Sequence, residues 1–146
     1  MYNPFRKIIS SLFNPPKQDG PGWPDRVLKI DDTGFVVIDA KDPAEVRCDW
    51  VSVREVFAYK IDLFSYDEIC LGFRVDDAGT SWWVGESYTG YQALLDELPR
   101  RFQGIKTDWI RAVSVPAFVE NRMTLWGEAL PLVELLKLKK RRWLFW

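Results

Sequence analysis

The chain has 146 residues, 20 basic and 21 acidic side chains for a formal net charge of −1, and a hydrophobic fraction of 47%. That length fits one domain with a real core, and the hydrophobic fraction excludes wholesale disorder. Histidine is absent, which removes serine or cysteine nucleophiles activated by imidazole and histidine-containing zinc sites.

The near-neutral total conceals segregation. Residues 1–13 carry two basic groups and no acidic ones, and residues 137–146 carry five basic groups and no acidic ones. The stretch between them, 14–136, holds 13 basic against 21 acidic residues, a balance of −8. An acidic body with two basic ends bears on partners rather than on fold.

In chain order, Met1 to Phe13 is too short and too interrupted by Ser10 and Ser11 for a signal peptide or a spanning helix, so a cytoplasmic chain is expected. Asn14 to Pro24 is a linker by its prolines and glycines. Arg26–Ile30 and Phe35–Asp39 read as strands joined by the turn Asp31-Asp32-Thr33-Gly34, with Gly34 suited to positive φ. Lys41-Asp42-Pro43 turns the chain again. From Glu45 to Asp62 the pattern is extended, with Val51 and Val53 in one phase and Val56 and Ala58 in the other. A slip of one residue flips the faces, so a bulge or a sharp bend is expected near Glu55.

Glu68 to Val75 alternates, placing Ile69, Leu71, Phe73 and Val75 opposite Cys70, Gly72 and Arg74. Asp76-Asp77-Ala78-Gly79 is a second hairpin turn, and Thr80 to Glu86 returns with Trp82 and Trp83 on opposite faces. The period then changes. Tyr91, Leu94, Leu95, Leu98 and Phe102 fall at helical spacing, with Thr89 and Gln92 as a capping box, Pro99 near the end and Gly104 as the stop. A short helix follows, capped by Thr107 or Asp108 and broken by Pro116. Arg122 to Trp126 reads as a last strand, and Ala129 to Arg142 as a leucine-rich helix with Pro131 in its first turn. Cys48 and Cys70 read as two buried, reduced thiols.

Meandering strands followed by one amphipathic helix make an α+β body in which an antiparallel, curled sheet or partly open barrel is plugged by that helix. The run Asp49 to Lys60, the hairpin Ile69–Val75 with Ser81–Val84, and the helix Tyr91–Leu98 resemble a pleckstrin-homology-like domain of the bacterial or GRAM sort. The resemblance covers about residues 26–104 and stops at Gly104. The expected layout is an N-terminal segment and linker over 1–25, this body over 26–104, an appendage packing on it over 105–128, and a basic-aromatic helix and tail over 129–146. A second resemblance, carried by Trp50 to Leu71 and Val115 to Asn121, is to uncharacterised bacterial proteins that look like immunity proteins of toxin systems. It implies a non-enzymatic inhibitor with a cognate toxin as partner, and it carries over no residue roles.

Neither a phosphate-cradling loop nor a metal-ligand cluster is apparent in the sequence, so no catalysis, cofactor or metal is expected. For partner binding the candidates are Trp82, Trp83, Glu86 and Tyr88, aromatic anchors beside an acid in an acidic body. The end of the chain has its own chemistry. Lys139, Lys140, Arg141 and Arg142 run directly into Trp143, Leu144, Phe145 and Trp146. That pattern suits docking onto the acidic body or a second copy, an anionic membrane surface, or single-stranded nucleic acid. The acidic body argues against nucleic acid.

Overall fold

The computed structural model describes residues 25–62, 67–115, 122–131, 133 and 137. Seven strands form in chain order: β1 (Arg26–Ile30), β2 (Gly34–Asp39), β3 (Asp42–Asp49), β4 (Glu55–Asp62), β5 (Asp67–Arg74), β6 (Ser81–Gly85) and β7 (Arg122–Gly127). Helix α1 (Tyr91–Arg101) and the short α2 (Ile110–Ser114) lie between β6 and β7. The strands make two open antiparallel sheets, one ordered β1-β2-β3 and one ordered β6-β5-β4-β7. The protein is thus a mixed α+β body. The linker before Asp25 and the tail beyond Lys137 lie outside the described residues, as does all of the expected C-terminal helix except a few positions.

Both a bend and a register irregularity lie near Glu55: the chain bends before β4, and the β4–β7 pairing shifts register between Val56 and Phe57. After Asp49 the chain makes a single 3-10 turn, Trp50–Ser52, and β4 then starts in the other sheet. The turn is docked rather than loose: the Trp50 amide donates to Thr33 O at 2.9 Å, and the Arg54 amide to Arg74 O at 2.8 Å. Within it Val51, which shares its alternation with Val53, is 96% exposed, while Val53 is buried.

The core lies between the sheets and α1, and aromatic rings dominate it. Phe35 on β2 meets Phe73 on β5 at 4.9 Å between ring centroids. Trp50 contacts Phe35 at 5.6 Å and Phe102 at 5.8 Å. Phe102, just past α1, in turn contacts Trp126 on β7 at 4.8 Å. Helix α1 buries Leu94 and Leu98 against this cluster, as their spacing of four requires.

The expected capping box does not form. Gly90, in the left-handed region at φ 94°, precedes α1, and no side chain caps it. Thr89 is otherwise engaged: its carbonyl accepts from the Leu28 amide at 2.8 Å and its amide donates to Arg26 O at 3.0 Å, tying the helix start to β1. Gly34 also differs from expectation. It is not among the positive-φ glycines. Its requirement is space, since a Cβ there would lie 2.1 Å from Cys48 O across the β2–β3 pair. Trp109, not Thr107 or Asp108, sits at the start of α2, again without a side-chain cap.

Candidate functional site

Three turns meet at one end of the molecule. In the β1–β2 turn, Asp31 Oδ1 accepts from the Thr33 amide at 2.8 Å, the Thr33 hydroxyl at 2.8 Å and the Gly34 amide at 3.0 Å. Aspartate commonly fixes a turn in this way. Arg47 on β3 closes the arrangement with a forked pair on Asp31 at 2.9 and 3.1 Å, a further bond to Asp49 at 2.8 Å, and a contact to the Thr33 hydroxyl. Trp50 Nε1 donates to Asp31 O at 3.3 Å, which fixes the turn carrying Val51 beside the first turn. On the other side, Arg54 pairs with Asp77 of the β5–β6 turn at 2.8 Å. That turn is itself closed by Asp76 accepting from the Thr80 amide at 2.9 Å, with Gly79 at φ 86°. Arg101 at the end of α1 reaches Asp32 O at 3.0 Å.

The surface so assembled offers Asp31, Asp32, Asp49, Asp76 and Asp77 against Arg47, Arg54 and Arg101, an acidic excess. Asp32 and Asp77 project fully or nearly so into solvent, at 102% and 86% side-chain exposure. Val51 stands in the middle turn.

The Asp31 carboxyl is held well below the usual carboxylate range, first by the Arg47 guanidinium and then by the Thr33 amide and hydroxyl. A depressed value in the folded state means that the stabilisation is present above the unfolded value. It is lost only as the pH falls through the folded one. At about pH 3, where a free aspartate is mostly protonated, carbon-detected NMR should find Asp31 still ionised. Arg47→Ala should return its titration toward the ordinary range.

The anchors expected from sequence are placed elsewhere. Trp82 and Trp83 do point to opposite faces, but Trp83 is buried and Trp82 half-buried against the core. Tyr88 is buried too, with its ring 5.9 Å from Trp83. Arg26 lies 5.5 Å from the centroid of each of these rings, bonds Tyr88 Oη, and pairs with Asp39 at 3.4 Å. Burial pushes the Tyr88 phenol up from its ordinary value. Trp83 and Tyr88 are therefore corrected from surface anchors to packing residues: a tyrosine and a tryptophan flanking one arginine satisfy each other inside. Glu86 is exposed, as an interface acid would be, and accepts from the Ile69 amide at 2.9 Å. Its neighbour Glu68 is buried, accepts from the Ser87 amide at 2.9 Å and hydroxyl at 2.6 Å, and is raised above the ordinary carboxylate value by desolvation.

Sequence reasoning passed over Val51 because it alternates with Val53 as a strand residue would. The signal against a strand was the acidic and polar flank, Asp49 before it and Ser52 after it. Lys139, Lys140, Arg141, Arg142, Trp143, Phe145 and Trp146 lie outside the described residues. Among the described residues no three or more of Asp, Glu or Cys gather in a way that would hold a metal ion, and no helix is long and apolar enough to cross a membrane. No protein-family model matches the chain, and neither a curated protein nor a solved structure matches it.

Proposed function

We propose that this chain is a non-enzymatic binding protein, an inhibitor of immunity type working in the cytoplasm, that captures a basic protein such as a cognate toxin at the three-turn end. The observation that carries the reading is the placing of an almost fully exposed Val51 between carboxylate-bearing turns that arginines hold in fixed geometry. An apolar side chain ringed by charge is a small version of an interface core with a polar rim. The fixed carboxylates steer a basic partner, and desolvation of the apolar centre slows its release. The pleckstrin-homology-like reading of residues 26–104 belongs with this proposal. It is supported by antiparallel strands in two open sheets ahead of an amphipathic helix; β7 lies beyond the resemblance.

The test is association of the purified chain with the product of the adjacent gene, measured across ionic strength. Binding should be fast at low salt and slow by roughly tenfold or more toward high salt. Replacing the exposed Asp32 and Asp77 by Lys should lower the on-rate, and Val51→Ala should mainly raise the off-rate. An on-rate indifferent to salt removes the electrostatic argument. Binding untouched by all three substitutions moves the interface elsewhere.

A further inference from the structure

The two edges of the three-stranded sheet differ. At the β1 edge the chain ahead of α1 pairs with the strand: the Leu28 amide donates to Thr89 O at 2.8 Å and the Thr89 amide to Arg26 O at 3.0 Å. At the β3 edge the ladder itself gives the direction of each peptide. The Trp50 amide donates to Thr33 O at 2.9 Å, on the β2 side, and Cys48 and Val46 stand opposite Phe35 and Val37. Peptide groups alternate sides along a strand, so the amides of Arg47 and Asp49 point away from β2, as do the carbonyls of Glu45, Arg47 and Asp49. Among the described residues no backbone group bonds to any of them.

The side chains along this edge have a definite charge. Glu45, Arg47 and Asp49 share the exposed face of β3, with Asp31 beside them. Arg47 is already committed, Nε to Asp49 at 2.8 Å and Nη1 and Nη2 to Asp31 at 2.9 and 3.1 Å. Three carboxylates around one engaged guanidinium leave an acidic excess. A second copy of the chain would set that excess against its own kind, whereas a cationic strand would neutralise it. The edge also runs from Asp49 directly into the turn carrying Val51. A bare edge is a template for an extended segment of another protein, held through main-chain bonds. We propose that the basic partner adds an antiparallel strand to β3 between Glu45 and Asp49, with cations opposite Glu45 and Asp49 and a neutral residue opposite Arg47. This deepens the reading of the three-turn end as a site for a basic protein, and rests on it.

The probe is the heptapeptide Val-Lys-Val-Thr-Val-Lys-Val, acetylated and amidated, titrated into the full chain and followed by NMR. The amide protons of Arg47 and Asp49 should move downfield as they gain bonds, and those of Val46 and Cys48, which already face β2, much less. N-methylation of the peptide at its Lys and Thr amides keeps its charge and removes its strand donors, and should weaken binding at least about tenfold. Asp49→Asn removes a charge alone, and Asp49→Pro a charge and an outward amide, so the proline variant should bind the peptide more weakly than the asparagine variant. Asp49, at φ −88° with its amide outside the ladder, is a place where an edge strand accepts proline; if that variant fails to fold, the methylated peptide decides alone. Equal binding of the methylated and unmethylated peptides overturns the strand addition and leaves capture by charge standing. Absence of heptapeptide binding overturns it too, whatever the adjacent gene product does at the Val51 turn, so the two readings fail separately. A dimer of the chain alone, with the Arg47 and Asp49 amides already bonded, gives the edge to a second copy and likewise overturns the proposal.

Discussion

Glu55→Ala should cost about 3–5 kcal/mol, read as a drop in the urea midpoint at unchanged slope. Glu55 has no exposed surface and accepts four bonds: from Arg74 Nε at 3.0 Å, from Arg122 Nη2 at 3.1 and 3.0 Å to its two oxygens, and from the Thr124 hydroxyl at 2.7 Å. Removing it leaves Arg74, only 4% exposed, with the solvent-exposed Asp77 at 3.7 Å as its remaining carboxylate partner among the described residues. The carbonyls of Asp76 and Glu128 still accept from that guanidinium, both at 2.6 Å, but they bring no charge. The other end of the network should be cheaper to break: Arg122 is 31% exposed and water can replace its partner. Replacing Glu55 and Arg74 together, by Leu and Met, should recover much of the loss, because the large term is the uncompensated charge rather than the pair. A Glu55→Ala variant as stable as the parent would show that the buried network contributes nothing.

Gly72→Ala should destabilise by about 1–3 kcal/mol, the range for an overpacked core. A Cβ at Gly72 would stand 2.1 Å from Phe57 Cζ, with two further ring carbons at 2.4 and 2.6 Å. The ring has little room to retreat, being stacked 4.0 Å below the Arg122 guanidinium and 5.6 Å from Tyr59. The glycine is therefore there for the neighbouring strand's aromatic side chain. A double-mutant cycle isolates the point: in a Phe57→Ala background, Gly72→Ala should cost close to nothing, giving a coupling free energy nearly as large as its own cost. Additive losses would place the glycine's role in its backbone instead.

Much of the fold is readable in local pattern. Alternation locates β1, β2, β5 and β6 within a residue or two, and the switch to a spacing of three and four locates α1. These signals are local because each element shows one apolar side to the core. The reading fails where a distant partner decides the outcome. Glu55, Glu68 and Arg74 fall opposite the apolar phase of their strands, and Lys60 continues the apolar phase of Val56 and Ala58, yet all four charged groups are buried. Lys60, for example, donates to Ser114 O at 3.0 Å and pairs with Asp67 at 3.4 Å. Ser114 lies 54 residues away, and nothing local announces it. The candidate site suffered from the same limit: Tyr88 and Trp83 have the composition of anchors, and they pack inside against Arg26, which is on β1.

The pairing of β7 with β4 has a further consequence in time. Arg122 and Thr124 reach Glu55 from 67 and 69 residues further along the chain. Contacts so distant in sequence form late, because closing the intervening loop costs entropy before it returns any bonding. During synthesis the β4–β5–β6 meander is complete long before residue 127 leaves the ribosome, and β4 stands meanwhile as a bare edge, Glu-Val-Phe-Ala-Tyr-Lys, with the Glu55 carboxylate lacking three of its four bonds. An apolar edge of that kind pairs readily with other chains. Yield from fast expression should therefore be governed by how soon β7 arrives, and chains ending before Arg122 should accumulate as aggregates rather than as smaller soluble domains.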